Sequence, residues 1–373
     1  QGLMEVLQPM TILLVAIGTV VGIIFGAIPG LTATMAIVMF LPVTYSMAAS
    51  EGISMLMALY IGGISGGLIS AILLNIPGTP SSVATCFDGK PMANKGEAGK
   101  ALGSGVVFSF VGTIIGIGLL VVLSPVLCGF ALKFQAYEYC ALAIFSLSMV
   151  IALTGHDMPK GLVSAVLGSL LATVGLSPID SKPRFTFGLY QLNNGFALVV
   201  LLIGLFAIAE VMSFAESVRK GQNFTVETDY KIKGAGFSLK EGLAQTKNAI
   251  VSALIGVGIG ILPGIGGGVS CMISYTVSKN TSKHRELYGT GIMDGVVASE
   301  TSNNAVIGGA LIPLLTLGIP GDAITAIIIG GLFIHGLKPG PMLMIETPHL
   351  FWMIVSLLVV ANIALFVLGL LSV

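Results

Sequence analysis

Charged residues are scarce in this sequence. Only 9% of its 373 residues are Asp, Glu, Lys or Arg, whereas soluble domains carry about 25%. In contrast, 55% of the residues are hydrophobic and the mean hydropathy is +0.99. This composition excludes a soluble globular domain. The 17 basic residues balance the 17 acidic ones, and a chain without net positive charge is not expected to bind nucleic acid.

Cysteine is also rare. Its four copies, which show no paired spacing, are Cys86, Cys128, Cys140 and Cys271. Neither a disulfide framework nor a zinc site is predicted, because both need closely paired cysteines. The sequence also lacks a Walker A phosphate loop, a dinucleotide fingerprint and a second aspartate in an apolar span for an aspartyl protease dyad. We therefore predict no enzymatic activity and no organic cofactor.

Long apolar runs and 50 glycines fill most of the chain. Runs of about 17–25 apolar residues can span a bilayer as a helix, and small residues let such helices approach closely in lipid. The predicted fold class is an all-α polytopic membrane protein. Its only long hydrophilic segment, residues 216–247, contains six lysines and arginines, and the positive-inside rule places it in the cytoplasm.

Pro-Gly pairs interrupt four of the apolar runs, at Pro29-Gly30, Pro77-Gly78, Pro263-Gly264 and Pro320-Gly321. Proline removes a backbone donor and glycine permits left-handed geometry, so each pair marks a broken helix. Broken helices are tolerated at membrane depth only where they are buried in protein or line a polar cavity. We therefore predict that the four breaks meet in one polar cavity, which is the candidate site.

The breaks recur in two halves of the chain. In each half, a Gly-x-x-Pro-Gly break precedes an Ile-Pro-Gly break that follows a Gly-Gly helix. Internal symmetry of this kind is typical of transporters and places their site at the broken segments. The predicted segments are a first repeat at 1–102, connecting transmembrane helices and the basic loop at 103–248, a second repeat at 249–345, and a C-terminal transmembrane helix at 346–373.

Loop charges indicate how the two repeats are oriented. Loops that follow equivalent breaks differ in their Lys and Arg content: 46–52 has none against three in 279–290, and 87–100 has three against one in 335–348. Basic loops favour the cytoplasm, so opposite bias at equivalent loops places those loops on opposite sides of the membrane. The repeats are therefore predicted to be inverted.

A broken helix leaves backbone N–H groups unpaired at one end and carbonyl groups unpaired at the other. The N–H ends attract carboxylates, and the carbonyl ends with nearby side-chain oxygens can hold Na⁺. The predicted substrate-binding residues are Gly30, Thr32, Asn75, Pro77, Gly78, Thr79, Ser81, Ser82, Gly266, Gly267, Gly268 and Gly321. The predicted ligands of a coupling cation are Asn75, Thr301, Asn303, Asn304 and Asp322.

Other roles stay open for several of these residues. Asp322 is a candidate cation ligand, a proton carrier, or the cap of the helix that follows its break. Each serine or threonine can instead hydrogen-bond to the backbone of its own helix. Gly-Gly pairs in apolar helices are most often packing devices.

Four long motifs are similar to those of a known family: GTVVGIIFGAIPGLTATMAIVMFLP, YIGGISGGLISAILLNIPGTPSSVATCFDGKPMANKGEAGKAL, GILPGIGGGVSCMISY and ASETSNNAVIGGALIPLLTLGIPGDAITAIIIGGLFIHGLKPGP. They resemble the large membrane subunit of tripartite tricarboxylate transporters. The resemblance implies a carrier of the bacterial inner membrane, driven by a Na⁺ or H⁺ gradient. Its partners would be a small membrane subunit and a periplasmic solute-binding protein that delivers a carboxylate. It also leads us to expect further hydrophobic spans beyond Val373.

The function predicted from these features is import of tricarboxylate or related carboxylates by alternating access, with a sodium ion or proton as coupling ion. Both an elevator-like and a rocking motion stay open. Two alternatives stay open: an anion channel whose breaks form a selectivity filter, and a non-transporting membrane scaffold. Uptake by a carrier should saturate and need a cation gradient, whereas channel flux only runs downhill. A homo-oligomer is also left open.

Overall fold

Helices form nearly all of the secondary structure in the computed structural model, which describes residues 2–153, 158–177, 182–197, 200–201, 203–209, 212, 215–216, 219 and 236–372. The helices are α1 (Gly2–Val6), α2 (Pro9–Ala27), α3 (Ala33–Thr44), α4 (Ala49–Leu74), α5 (Val83–Asn94), α6 (Ala98–Ala131), α7 (Ala136–Leu153), α8 (Met158–Ala172), α9 (Leu239–Ala244), α10 (Thr246–Gly260), α11 (Gly266–Thr281), α12 (Met293–Leu317), α13 (Ala323–Ile334), α14 (Leu343–Glu346) and α15 (Pro348–Ser372). Two short strands, β1 (Gly175–Leu176) and β2 (Pro183–Arg184), pair antiparallel. Short 3₁₀ turns lie at Pro80–Ser82, Tyr190–Asn194 and Arg285–Leu287, and a π-helical turn lies at Ile203–Ile208.

Several of these helices are apolar enough to cross a bilayer. In the described part of the chain, four are also long enough: Pro9–Ala27, Ala49–Leu74, Ala98–Ala131 and Pro348–Leu371. Shorter apolar helices are Ala33–Thr44, Met158–Ala172, Thr246–Gly260 and Ala323–Ile334. The prediction of an all-α polytopic membrane protein is confirmed. Of the basic segment 216–247, positions 217–218 and 220–235 lie outside the described residues.

Two long helices, α4 and α12, form the centre of the protein. Nearly all of their residues are buried, including the whole of α12 from Gly295 to Thr316. Helix α4 packs on α2, while α12 packs on α6, α10 and α11. Burial inside the protein explains how α12 tolerates the polar block Glu300–Asn304, because those side chains are shielded from lipid. The helix that contains this polar block, α12, is therefore one of the two central helices.

Each Pro-Gly pair falls where one helix has ended and the next has not begun. The four gaps lie between α2 and α3, between α4 and the Pro80–Ser82 turn that leads into α5, between α10 and α11, and between α12 and α13. Proline and glycine stop helices at these points for the reasons stated above. The predicted breaks are confirmed.

The same kind of backbone contact occurs within each half of the chain. A Cβ atom placed on Gly78 would lie 2.0 Å from the carbonyl oxygen of Gly26, and one placed on Gly321 would lie 2.5 Å from the carbonyl oxygen of Gly260. In each half, the second break therefore packs directly on the end of the helix that precedes the first break. Only glycine permits this approach. The repeat is thus visible in backbone contacts, while its inversion stays a prediction.

The ends of α4 and α12 are also equivalent. Asn75 and Gly318 follow these helices in left-handed conformations, with φ of 57° and 73°. The next amide in each half then bonds back into the helix: Ile76 N to Ser70 O at 3.4 Å, and Ile319 N to Pro313 O at 3.3 Å. Such caps satisfy carbonyl groups that a helix end otherwise leaves unpaired.

The left-handed cap at Asn75 leads to a first prediction. Asn75→Gly should keep the midpoint of thermal unfolding in detergent, because glycine adopts positive φ without strain. Asn75→Val should lower stability by about 1–2 kcal/mol, since a β-branched residue is strained there. Equal unfolding midpoints for the two variants would show that the cap contributes nothing.

Candidate functional site

The four breaks line one cavity with a volume of about 400 Å³. Each break contributes consecutive residues, and α4 adds Ile64. The lining residues are Thr32 to Thr34, Thr79 to Ser81, Gly264 to Val269, and Asp322 to Ile324. The structure thus brings the four breaks together, as the sequence predicts.

Helix N-termini surround this cavity. Helices α3, α11 and α13 begin at its wall, and so does the 3₁₀ turn that leads into α5. The first amides of a helix have no intrahelical acceptor, and the helix dipole adds about half a positive charge at that end. No Lys or Arg of the described residues lines the cavity. The groups with partial positive charge at the cavity wall are therefore backbone amides, and the acid Asp322 lies among the lining residues.

These N-termini differ in how their amides are satisfied. Thr32 caps α3, because its Oγ1 accepts a hydrogen bond from Met35 N at 3.1 Å. Helix α11 has no side-chain cap among the described residues. No capping side chain therefore accepts a hydrogen bond from its first amides, on Gly266 and Gly267. Gly266 itself has a φ of 68°. The first turn of α11 is thus without a side-chain cap among the described residues, unlike that of α3.

Asp322 caps the fourth N-terminus and is almost completely buried. Its Oδ1 accepts hydrogen bonds from Thr325 N and Thr325 Oγ1, both at 2.7 Å. Its Oδ2 accepts one from the hydroxyl of Tyr60 on α4, at 2.7 Å. Of the three roles left open by the sequence, capping is directly observed. Asp322 is also one of the residues that line the cavity.

Some buried polar atoms at the cavity wall and on α12 have no hydrogen-bond partner. Within the described residues, these include Thr79 Oγ1, at the cavity wall, and Thr301 Oγ1 on α12. The amide of Asn303 makes no hydrogen bond of good geometry, but it faces the carboxyl group of Glu300 closely enough to interact with it. A Cβ atom placed on Gly267 would lie 2.6 Å from Asn303 Oδ1 and 2.7 Å from Ser81 Oγ. These two oxygens therefore flank the first turn of α11. Buried polar atoms without partners are rare and point to a ligand.

The internal repeat allows polar residues at equivalent positions of the two halves to be compared. When Pro77 is aligned with Pro320, Tyr60 corresponds to Asn303 and Asp322 corresponds to Thr79. In one orientation, Tyr60 and Asp322 bond to each other across the two halves. In the other, the side chains of Asn303 and Thr79 make no hydrogen bond to each other. The two equivalent positions therefore differ in whether a side-chain hydrogen bond joins the two halves.

The remaining candidate residues divide into two groups. Gly30, Gly78, Ser82 and Gly321 adjoin the cavity without lining it, and Gly78 and Gly321 form the backbone contacts described above. Asn75 and Pro77 are exposed and lie outside the cavity wall, where Asn75 ends α4.

Asn304 is buried but already satisfied. Its Oδ1 accepts a hydrogen bond from Ser65 Oγ at 2.6 Å, and its Nδ2 donates to Ser109 Oγ at 2.8 Å and to Glu300 O at 2.9 Å. It is therefore positioned behind the cavity rather than at its surface. The functional contact that the sequence missed is Tyr60 with Asp322; the alignment of Tyr60 with Asn303 was the available signal.

Comparison with known proteins agrees with this architecture. The sequence pattern described as "Tripartite tricarboxylate transporter TctA family" matches residues 12–373. A protein of Agrobacterium vitis, described as an uncharacterized 52.8 kDa protein in the TAR-I ttuC' 3'region, is 35% identical over 99% of this chain and 73% of its own length. Another from the same organism, in the TAR-II ttuC' 3'region, is 40% identical over 25% of this chain and 38% of its own length. No solved structure matches. The chain belongs to the tripartite tricarboxylate transporter TctA family.

Proposed function

We propose that this chain is the large membrane subunit of a secondary carrier in the bacterial inner membrane, and that it imports tricarboxylate or related carboxylates. A periplasmic solute-binding protein delivers the substrate, and a small membrane subunit completes the complex. The observation that carries the proposal is that the N-termini of α3, α11 and α13 meet the 3₁₀ turn before α5 at one cavity. Membership of a tripartite transporter family supports the partners.

The cavity suits a small carboxylate. Its volume of about 400 Å³ falls within the range of about 300–1,000 Å³ typical of small-molecule sites. The uncapped amides at Gly266, Gly267 and Gly268 can donate to one carboxylate group. Thr79 and Ser81, which carry hydroxyl groups, line the same space. Because none of these donors has a full charge, the site can bind an anion and still release it.

The charges in the cavity are the reason for proposing a coupling cation. Asp322 lines the same cavity as the proposed substrate, so an ionised Asp322 repels a carboxylate nearby. A sodium ion or proton bound together with the substrate removes that repulsion. The unpaired oxygens of Asn303 and Thr301, with Asp322, are the proposed ligands. Binding of substrate and cation is then mutually favourable, as symport requires.

Alternating access is the proposed transport mechanism. The cavity wall comes from both repeats, and the hydrogen bond from Tyr60 to Asp322 joins them. In carriers built from inverted repeats, one bundle moves against the other around a fixed site. Movement of the Asp322 side against α4 would expose the site to alternate sides of the membrane.

The direct test is uptake into proteoliposomes that contain the complete membrane complex. Labelled citrate and tartrate should accumulate when binding protein is present and a Na⁺ or pH gradient is imposed. Uptake should saturate and stop when the gradient is abolished. Fast downhill flux without any need for a cation gradient would instead identify an anion channel, and absence of any flux with all components present would refute transport.

A variant of Asn303 tests the cation ligands. Asn303→Leu keeps the approximate size of the side chain but removes its oxygen. We expect the cation concentration for half-maximal uptake to rise about tenfold. Loss of one contact between an oxygen and a charged group, about as strong as a hydrogen bond, accounts for a change of this size. Asn280→Leu, on an exposed face of α11, is the matched control and should behave like the wild type. Equal cation dependence of both variants would remove Asn303 from the site.

A further inference from the structure

A second cavity, with a volume of about 380 Å³, lies at the other end of α10 and α11 from the candidate functional site. The start of α10, the end of α11 and the start of α12 form its wall, and side chains of both charges line it: Lys247, Lys283 and Asp294. It shares no lining residue with the first cavity. Its volume falls within the range of about 300–1,000 Å³ typical of small-molecule sites. The cavity is therefore large enough for a separate ligand.

Hydrogen bonds between the helices shape this second cavity. Asn248 Oδ1 accepts a hydrogen bond from Ser278 Oγ of α11 at 2.8 Å, and Asn248 Nδ2 donates to the backbone oxygen of Asp294 at 3.0 Å. Ser278 Oγ also lies 2.7 Å from the hydroxyl oxygen of Tyr288, and both of these side chains are buried. The bonds join α10, α11 and α12, so the wall of the cavity has a defined geometry.

The charged side chains of this wall have no protein partner. In the described part of the chain, ion pairs form between Lys100 and Glu241 and between His284 and Glu286. Neither lysine of the cavity takes part in them, and neither is paired with Asp294. Two ammonium groups and one carboxylate are thus available to a ligand. Charge complementarity favours a ligand that has both a phosphate and an amine.

An apolar stripe leads from the cavity along α10. Lys247, Val251 and Leu254 follow one another at intervals of four and three residues, so they lie on one face of the helix. Val251 lines the cavity, and Val251 and Leu254 are 38% and 53% exposed. Exposed apolar side chains of a membrane helix contact acyl chains. A polar cavity that opens onto such a stripe is suited to a lipid, whereas a soluble ion needs no apolar surface.

The cavity also lies on the side of the protein where basic residues collect. Lys95 Nζ donates to the backbone oxygen of Gly291 at 3.3 Å, and Lys100 pairs with Glu241, so the ends of α5, α6, α9 and α12 meet here. The positive-inside rule assigns such a side to the cytoplasm. Lysines at the ends of apolar helices extend their ammonium groups to the headgroup layer. The cavity is therefore expected at the depth of lipid headgroups.

We propose that this cavity binds the headgroup of an aminophospholipid, a lipid with a phosphodiester and a primary ammonium group, such as phosphatidylethanolamine. Lys247 and Lys283 bind the phosphate, and Asp294 accepts hydrogen bonds from the ammonium group. One acyl chain lies along Val251 and Leu254. This inference concerns a site apart from the transport cavity and does not depend on the proposed transport function.

Asp294 distinguishes this lipid from an anionic one. A headgroup with a phosphate and no amine would leave the carboxylate of Asp294 unpaired and repelled by the phosphate. A primary ammonium group removes that repulsion and supplies hydrogen-bond donors. The bound headgroup would also connect three helices, because Lys247 lies in α10, Lys283 follows α11 and Asp294 lies in α12. Added lipid should therefore raise the midpoint of thermal unfolding.

Native mass spectrometry of the purified protein in detergent measures which lipid it binds. The wild type should bind phosphatidylethanolamine about tenfold more tightly than phosphatidylglycerol, which has no amine. It should also prefer phosphatidylethanolamine to phosphatidylcholine, whose quaternary ammonium group has no hydrogen to donate. Loss of one hydrogen bond between charged groups accounts for a difference of this size. Equal or tighter binding of phosphatidylglycerol by the wild type would overturn the assignment.

Variants separate the two halves of the headgroup. Combined Lys247→Gln and Lys283→Gln should weaken binding of both lipids by at least about tenfold, since both contain the phosphate. Asp294→Asn should weaken binding of phosphatidylethanolamine about tenfold and leave that of phosphatidylglycerol equal or tighter. Lys240→Gln, at an exposed position of α9 outside the cavity wall, is the control. Unchanged lipid binding in the cavity variants would overturn the assignment.

Two further measurements complete the test. If the double variant fails to fold, Lys283→Gln alone, at an exposed position after α11, should weaken binding of both lipids in the same direction. Glycerophosphoethanolamine has the same headgroup without acyl chains, and it should compete only at a concentration at least about a hundredfold higher, because acyl chains supply much of a lipid's affinity. Competition at equal concentration would assign the cavity to a soluble zwitterion and overturn the lipid.

Discussion

Gly78→Ala is expected to leave little folded protein in the membrane. The added Cβ atom would lie 2.0 Å from the carbonyl oxygen of Gly26 and 2.5 Å from Ser70 Oγ. The nearer atom belongs to the backbone, so relief requires α2 and the second break to separate. Such overpacking costs about 1–3 kcal/mol or more. The measurement is the yield of monodisperse protein after detergent extraction, together with its unfolding midpoint.

Two further glycines make this prediction specific. Gly321→Ala should behave like Gly78→Ala, because its Cβ atom would lie 2.5 Å from the carbonyl oxygen of Gly260. Gly118→Ala should have no effect, since nothing lies within 4 Å of a Cβ atom at that position of α6. If all three variants were equally stable, the close backbone contact within each repeat would not contribute to stability.

The positions of the helix breaks could be predicted from the sequence because their causes are local. Proline lacks a donor and glycine accepts unusual backbone angles wherever they occur. The convergence of the breaks also followed, because unpaired backbone groups must be buried or solvated inside a membrane. Asn75 shows the limit of this reasoning: an asparagine beside a break suggested a ligand, but the same residue type also suits a left-handed helix cap.

Contacts between distant segments could not be predicted in this way. The bond of Tyr60 to Asp322 and the bond of Thr85 to Glu300 join residues more than 200 positions apart. A single sequence records which side chains are polar but not which helices pack together. The internal repeat was a partial substitute, since it aligned Tyr60 with Asn303 and so indicated that the two positions face equivalent sites.

Gly267→Ala is expected to reduce uptake of the proposed carboxylate substrate by about 10- to 100-fold while leaving the protein folded. Gly267 has no positive φ, so alanine fits the helical backbone. Its Cβ atom would instead meet side-chain atoms, 2.6 Å from Asn303 Oδ1 and 2.7 Å from Ser81 Oγ. Those side-chain atoms can move, so the substitution alters the geometry of the site and not the stability of the fold. Loss of one hydrogen bond to a charged substrate accounts for a change of this size.

The comparison of Gly267 with its neighbour decides whether the cavity binds substrate. A Cβ atom on Gly268 would lie 3.2 Å from the carbonyl oxygen of Pro80, a milder contact, so Gly268→Ala should lower uptake by less. Gly258→Ala on α10, with nothing within 4 Å, should match the wild type. The three substitutions add the same methyl group to apolar helices, so only proximity to Asn303 and Ser81 can produce this order. Uptake that is unchanged in Gly267→Ala would mean that the carboxylate binds elsewhere, because a methyl group at the uncapped N-terminus of α11 cannot leave room for it unchanged.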